Sequence, residues 1–201
     1  MAIVDNIIAN LKENEENKKR VNSSRKGKRG EANVLPLLIE RFKLPFARKP
    51  QTLGSGGWAT QHAETLKEGK LDMDSLAGDI ITPKGFGFCI EVKSGYDIEL
   101  INLFQGTKKK SDQKQLQDFF DQVSRDSKRV NKQPLLIYHK DNCPSIVFLE
   151  TKTLKPYCSC IYPIFYYNTQ WVCLSFVSLL ELPSEFFFAS QASSDQLPTA
   201  K

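Results

Sequence analysis

The sequence predicts an α/β protein, on three observations. Two apolar segments between Gly78 and Gly95 flank Pro83-Lys84-Gly85, which reads as a β-hairpin. Ser111 to Asn131 then reads as a long helix, with Leu116, Phe119, Phe120 and Val123 inward and Lys114, Arg125, Lys128 and Arg129 outward. Directly after it, Leu135-Leu136-Ile137-Tyr138-His139 is apolar enough for a buried strand. With 201 residues and 40% hydrophobic content, the chain can bury one good core.

The remaining elements follow in chain order. Ile3, Val4, Ile7, Ile8 and Leu11 recur at helical spacing, so residues 1–24 read as a short N-terminal helix and a basic linker. Residues 25–188 form the main domain, and 189–201 a polar tail expected to be disordered. A helix is expected from near Lys28 to Phe42, carried by Ala32, Leu35, Leu37, Leu38, Ile39 and Phe42. Pro36 is tolerable only near its first turns, because proline lacks the N–H that a helix interior needs. Residues 45–53 are short and extended, and Gly54-Ser55-Gly56-Gly57 permits close approach of backbone to a ligand. Residues 59–77 lack strong periodicity and predict a loop or short helix; 96–110 form another connection. Ser145 to Glu150 is a further strand, Tyr157 to Leu174 adds a strand or two, and Phe176 to Leu182 closes with a helix.

Charge and cysteine usage narrow the class. The net charge of +5 is compatible with a polyanionic partner, and its distribution says more. Lys18, Lys19, Arg20, Arg25, Lys26, Lys28 and Arg29 fall in one run with no acid; Lys108-Lys109-Lys110 with Lys114 is a second cluster. The five cysteines are odd in number and follow no zinc spacing, so free thiols in a reducing cytosol are expected. No signal peptide is visible, and Pro163, Asn168 and Gln170 interrupt the most apolar window. A cytoplasmic protein without a membrane span is the expectation.

Successive strand residues point to opposite faces, so Glu91 and Lys93 project together while Ile90 and Val92 point the other way. If Asp79 lies on the neighbouring strand, two carboxylates and an ammonium converge. Metal-assisted phosphodiester hydrolysis needs that set: carboxylates hold Mg²⁺, the metal activates water, and a lysine orients the nucleophile or stabilises the transition state.

Asp79, eleven intervening residues, then Glu91-Val92-Lys93 resembles the PD-(D/E)XK nuclease signature, with Gly78 where the family name has proline. Lys26-Gly27-Lys28-Arg29-Gly30-Glu31 resembles the start of the first helix in archaeal and phage Holliday-junction resolvases. Gly54-Ser55-Gly56 is similar to their Gly-Ser-Gly loop. The resemblance implies a PD-(D/E)XK core, a central mixed sheet flanked by helices in αβββαβ order. It also implies roles: Glu31, Asp79, Glu91, Lys93 and Gln122 in catalysis, Gln122 facing the metal site with Gln115 as its rival. Asp79, Glu91 and the Val92 carbonyl would bind Mg²⁺, for which Mn²⁺ substitutes; Arg25, Lys26, Lys28, Arg29, Arg48 and Ser55 would meet DNA. The implied activity is resolution of branched DNA by a homodimer, in the host cytoplasm if phage-encoded. The alternatives are a restriction-type nuclease or recombination exonuclease of the same superfamily, or a nucleic-acid-binding protein on this fold without catalysis.

Overall fold

The computed structural model describes residues 23–50, 61–72, 76–99, 110–140, 143–160 and 164–188. Helix α1 spans Ser23–Phe42, followed by strand β1 (Ala47–Arg48) and a short helix α2 (Ala63–Lys67). Strands β2 (Ile80–Ile81) and β3 (Phe88–Ser94) form the expected hairpin, and helix α3 (Lys110–Arg129) leads to β4 (Gln133–His139). Strand β5 (Ile146–Glu150), helix α4 (Thr151–Leu154) and a 3-10 segment (Lys155–Cys160) come next. The chain continues through β6 (Phe165–Tyr166), β7 (Trp171–Ser175) and helices α5 (Phe176–Leu180) and α6 (Ser184–Phe188).

The strands make one mixed sheet in the order β1-β2-β3-β4-β5-β7-β6. Only β3 and β4 run parallel, in the register Glu91↔Leu136 and Lys93↔Tyr138, because α3 carries the chain back between them. The other pairs are antiparallel. Strand alternation divides the core in two. On the α1 face, Val34 and Leu38 pack with Ile90, Val92, Leu135 and Ile137. On the α3 face, Leu116, Phe120 and Val123 pack with Leu136, Tyr138 and Phe148, and Phe120 stacks on Trp171 with ring centroids 4.3 Å apart. Covered on both faces, β3 is buried along nearly its whole length, with Phe88 to Ile90 and Val92 apolar. Glu91, 2% exposed, is the most deeply buried polar residue in it.

Several boundaries differ from the sequence reading. The first helix starts at Ser23 rather than near Lys28, so Pro36 lies well inside it. Pro36 is exposed there, and the helix is held by Val34 and Leu38 on its inner face rather than by propensity. The aromatic C-terminal third is largely core: Trp171, Phe176, Phe186 and Phe187 are buried, whereas Phe165 and Tyr166 on the edge strand stay exposed. The closing helix is two short helices separated at Pro183, since proline ends the first by withholding its N–H. Cys89 and Cys173 are buried free thiols, each pushed up to about 12 mainly by burial. Among the described residues no helix is long and apolar enough to cross a membrane.

Candidate active site

The site begins where β2 ends. Strand β2 covers β3 only as far as Ile80↔Ile90, leaving the next β3 donor, Val92 N–H, without a strand partner on that side. Asp79 fills the gap. Its N–H donates to the Ile90 carbonyl at 2.8 Å, and its Oδ2 accepts from Val92 N–H at 2.8 Å. A strand residue turns its N–H and C=O to the same side, so the Val92 carbonyl also faces this open edge.

Gly78 makes that turn possible. Its φ is 77°, and a Cβ there would lie 2.4 Å from the Ile90 carbonyl oxygen. Neither proline, fixed near −65°, nor any residue with a side chain fits without moving β3. The departure from the family's name therefore has a local cause.

Glu91 and Lys93 project from β3 toward α3, where Gln122 meets both. Lys93 Nζ donates to Glu91 Oε1 at 2.6 Å and to Gln122 Oε1 at 2.8 Å, and Gln122 Nε2 donates to Glu91 Oε1 at 2.6 Å. The triangle fixes which way the amide points. Lys93 also lies over the Phe119 ring, 5.2 Å from its centroid. Asp79, Glu91 and Gln122 line one cleft of about 400 Å³, with Lys49, Gly78, Asp126 and Arg129 on its walls.

The electrostatics of the cleft favour a cation. Burial pushes the Glu91 carboxyl up to about 7; the Asp79 charge adds to the shift, and Lys93 opposes it. Asp79 is raised as well, chiefly by burial, against the Val92 hydrogen bond and the charges of Lys93 and Lys49. Two carboxylates that resist being charged together are incompletely neutralised by Lys93. A hard divalent cation with oxygen ligands suits them. Among the described residues, no three or more His, Cys, Asp or Glu side chains are grouped to hold a metal. Such an ion would therefore have two carboxylates, a carbonyl, water and substrate oxygens as its ligands, as Mg²⁺ commonly does.

The other described sequence candidates do not line this cleft. Arg48 pairs with Ile80, which faces the α1 side, and its Nε donates to Glu31 Oε2 at 2.8 Å. This bond ties α1 to β1, and neither residue is among those lining the cleft. Gln115, nearly two turns before Gln122 on α3, is not among the lining residues either. The side chains of Arg25, Lys26, Lys28 and Arg29, and the Gly54-Ser55-Gly56 loop, lie outside the described residues. Lys49, Asp126 and Arg129 also line the cleft and carry no motif that marks them in the sequence. Asp126 follows Gln122 by one helical turn, a spacing that was available as a signal.

A family model described as "Phage putative PDDEXK endonuclease" matches residues 22–171. The chain belongs to that family. Its match runs from the start of α1 to β7 and includes Asp79, Glu91, Lys93 and Gln122. The family is one of nucleases, so its substrate is nucleic acid. The chain is also 32% identical over 139 residues to Protein D14 of Escherichia phage T5, an alignment covering 65% of this chain and 72% of the relative. No solved structure matches.

Proposed function

We propose that this family member is a divalent-metal-dependent DNA endonuclease that cuts branched DNA. The observation that carries the nuclease reading is the convergence of Asp79, Glu91 and Gln122 on one cleft, with the Lys93 ammonium bonded to Glu91 and Gln122. Asp79, Glu91 and the Val92 carbonyl would hold Mg²⁺, or Mn²⁺ in its place. When bound, the ion lowers the pKa of a water ligand and neutralises charge on the phosphate. The side chains do the positioning. The Val92 N–H aims the Asp79 carboxylate, and Gln122 and Lys93 aim Glu91. Lys93, steered by Glu91, Gln122 and the Phe119 ring, presents an ammonium whose orientation is set before substrate arrives. It orients the attacking water or stabilises the charge that develops on the phosphoryl oxygens.

The finer reading is a Holliday-junction resolvase working as a homodimer in the host cytoplasm. The resemblance of Lys26 to Glu31 and of Gly54-Ser55-Gly56 to resolvase motifs supports it. One constellation per chain supports the dimer, since resolution needs paired incisions. Phe165 and Tyr166, exposed on the edge strand β6, offer apolar surface for an interface. The test is cleavage of a labelled four-way junction, a linear duplex and a single strand with Mg²⁺, beside light scattering. Paired nicks in the junction by a dimer are expected. Equal cutting of linear duplex by a monomer returns the protein to general nucleases. Binding without any cleavage, in Mg²⁺ or Mn²⁺, makes it a non-catalytic member of the fold.

A further inference from the structure

The cleft holds more acid than available base. Asp79, Glu91 and Asp126 all line it. The Lys93 ammonium is engaged by Glu91 and Gln122, and Arg129 Nη1 donates to Asp126 Oδ1 at 3.3 Å. A nucleic-acid strand brought to these carboxylates carries a negative charge on every phosphate, so the cleft needs a cation that is not already committed. Lys49 lines the same cleft, is exposed, and has no side-chain hydrogen bond or ion pair among the described residues.

Two features of the backbone place it. Arg48 is turned to the α1 face, where it meets Glu31, so the residue after it is directed to the opposite face, that of Glu91 and Lys93. The Lys49 N–H donates to the Asp79 carbonyl at 3.0 Å, which ties its Cα to the carboxylate-bearing segment itself. A cation so anchored moves with Asp79 and not independently of it. We propose that Lys49 is the phosphate-binding residue of this cleft, its ammonium meeting a backbone phosphate of the bound DNA strand on the Asp79 side. The assignment rests on the nuclease reading above and adds a residue that the family signature does not name. Arg48, one position earlier, donates to Glu31 and so joins β1 to α1.

The salt dependence of binding tests this. Each phosphate neutralised on duplex DNA contributes about −0.9 to the slope of log K against log salt concentration. Anisotropy of a labelled duplex is measured with the full chain in Ca²⁺, over a series of salt concentrations. Lys49→Ala is expected to flatten the slope by about 0.9, and Lys49→Arg to restore it. Lys152→Ala removes the same charge near Glu150 at the end of β5, four strands from β1, and is expected to leave the slope at its wild-type value. A Lys49→Ala slope equal to wild type overturns the assignment while leaving the nuclease reading intact, provided the wild type binds and cuts DNA. A wild type that neither binds nor cuts DNA overturns both.

Discussion

Replacing Glu91 by glutamine should stabilise the metal-free protein, by an amount that grows as pH rises from about 4.5 to 7. The folded state raises the Glu91 carboxyl from its ordinary value near 4.5 to about 7, with burial as the leading cause. Below about pH 4.5 the group is protonated in folded and unfolded chains alike, so its burial has no charge penalty. Between 4.5 and 7 the folded chain binds the extra proton, and its stability falls as pH rises. Each pH unit in that window is worth about 1.4 kcal/mol, so the loss is roughly 3 kcal/mol once pH exceeds 7. Glutamine keeps the shape and carries no charge to bury. For a domain of this size the difference corresponds to roughly 6–12 °C in Tm. The assay is thermal unfolding in chelator from pH 4 to 8, with both proteins at each pH. The two Tm values should meet near pH 4 and diverge toward pH 8, Glu91→Gln being the higher. Saturating Mn²⁺ should raise the wild-type Tm and close most of the gap, because it supplies the missing countercharge. A Tm difference that does not change with pH would refute the reasoning, as would a less stable Glu91→Gln protein at pH 8.

Three further outcomes follow from the geometry. Asp79→Asn and Lys93→Ala should leave DNA affinity within a few-fold and cleavage near zero, while Gln122→Ala lowers the cleavage rate by about 10–100-fold; single-turnover assays with Mg²⁺ check this, and wild-type rates would misplace the site. Gly30→Ala should destabilise by about 1–3 kcal/mol, because its Cβ would lie 2.6 Å from Ser94 Cβ and 3.2 Å from Val92 Cγ1. In a Ser94→Gly background the same change should become near neutral or stabilising, since the helix-propensity gain of about 1 kcal/mol then remains; additive effects in a denaturation cycle would show that α1 and β3 do not touch there. Gly78→Pro, which restores the family's proline, should lower both stability and cleavage, because the φ of 77° is closed to it; a fully active variant would mean that the turn before Asp79 is formed differently.

What the sequence carried and what it hid separate along one line, local against non-local. The facing of Glu91 and Lys93 depends only on the two-residue period of a strand, and both do turn toward α3 while Ile90 and Val92 turn toward α1. Gln122 lies on the inner side of a helix whose apolar residues, Leu116, Phe119, Phe120 and Val123, fix the face by spacing alone. The hairpin was legible from Pro83-Lys84-Gly85, where Gly85 has a φ of 80°. Arg48 was not. Whether it faces the substrate or α1 depends on the register Arg48↔Ile80, set between segments more than thirty residues apart and only two residues long in β1. Shifting that register by one residue would exchange the faces of Arg48 and Lys49, which is why the sequence does not tell these two adjacent cations apart. The stretch from 59 to 77 concealed its structure for a similar reason. Leu71 bridges Pro83 and the Asp72 N–H donates to the Thr82 carbonyl, and Lys132 bonds both Asp72 and Thr82, at 2.9 and 2.8 Å. Asp72 is thus held by a lysine sixty residues downstream, a contact that no local periodicity announces. The same arrangement gives the site its rigidity. Asp79 sits between a hairpin pinned by Lys132 and a strand pinned by α3, and its carboxylate is aimed by backbone that neither the metal nor the substrate has to organise.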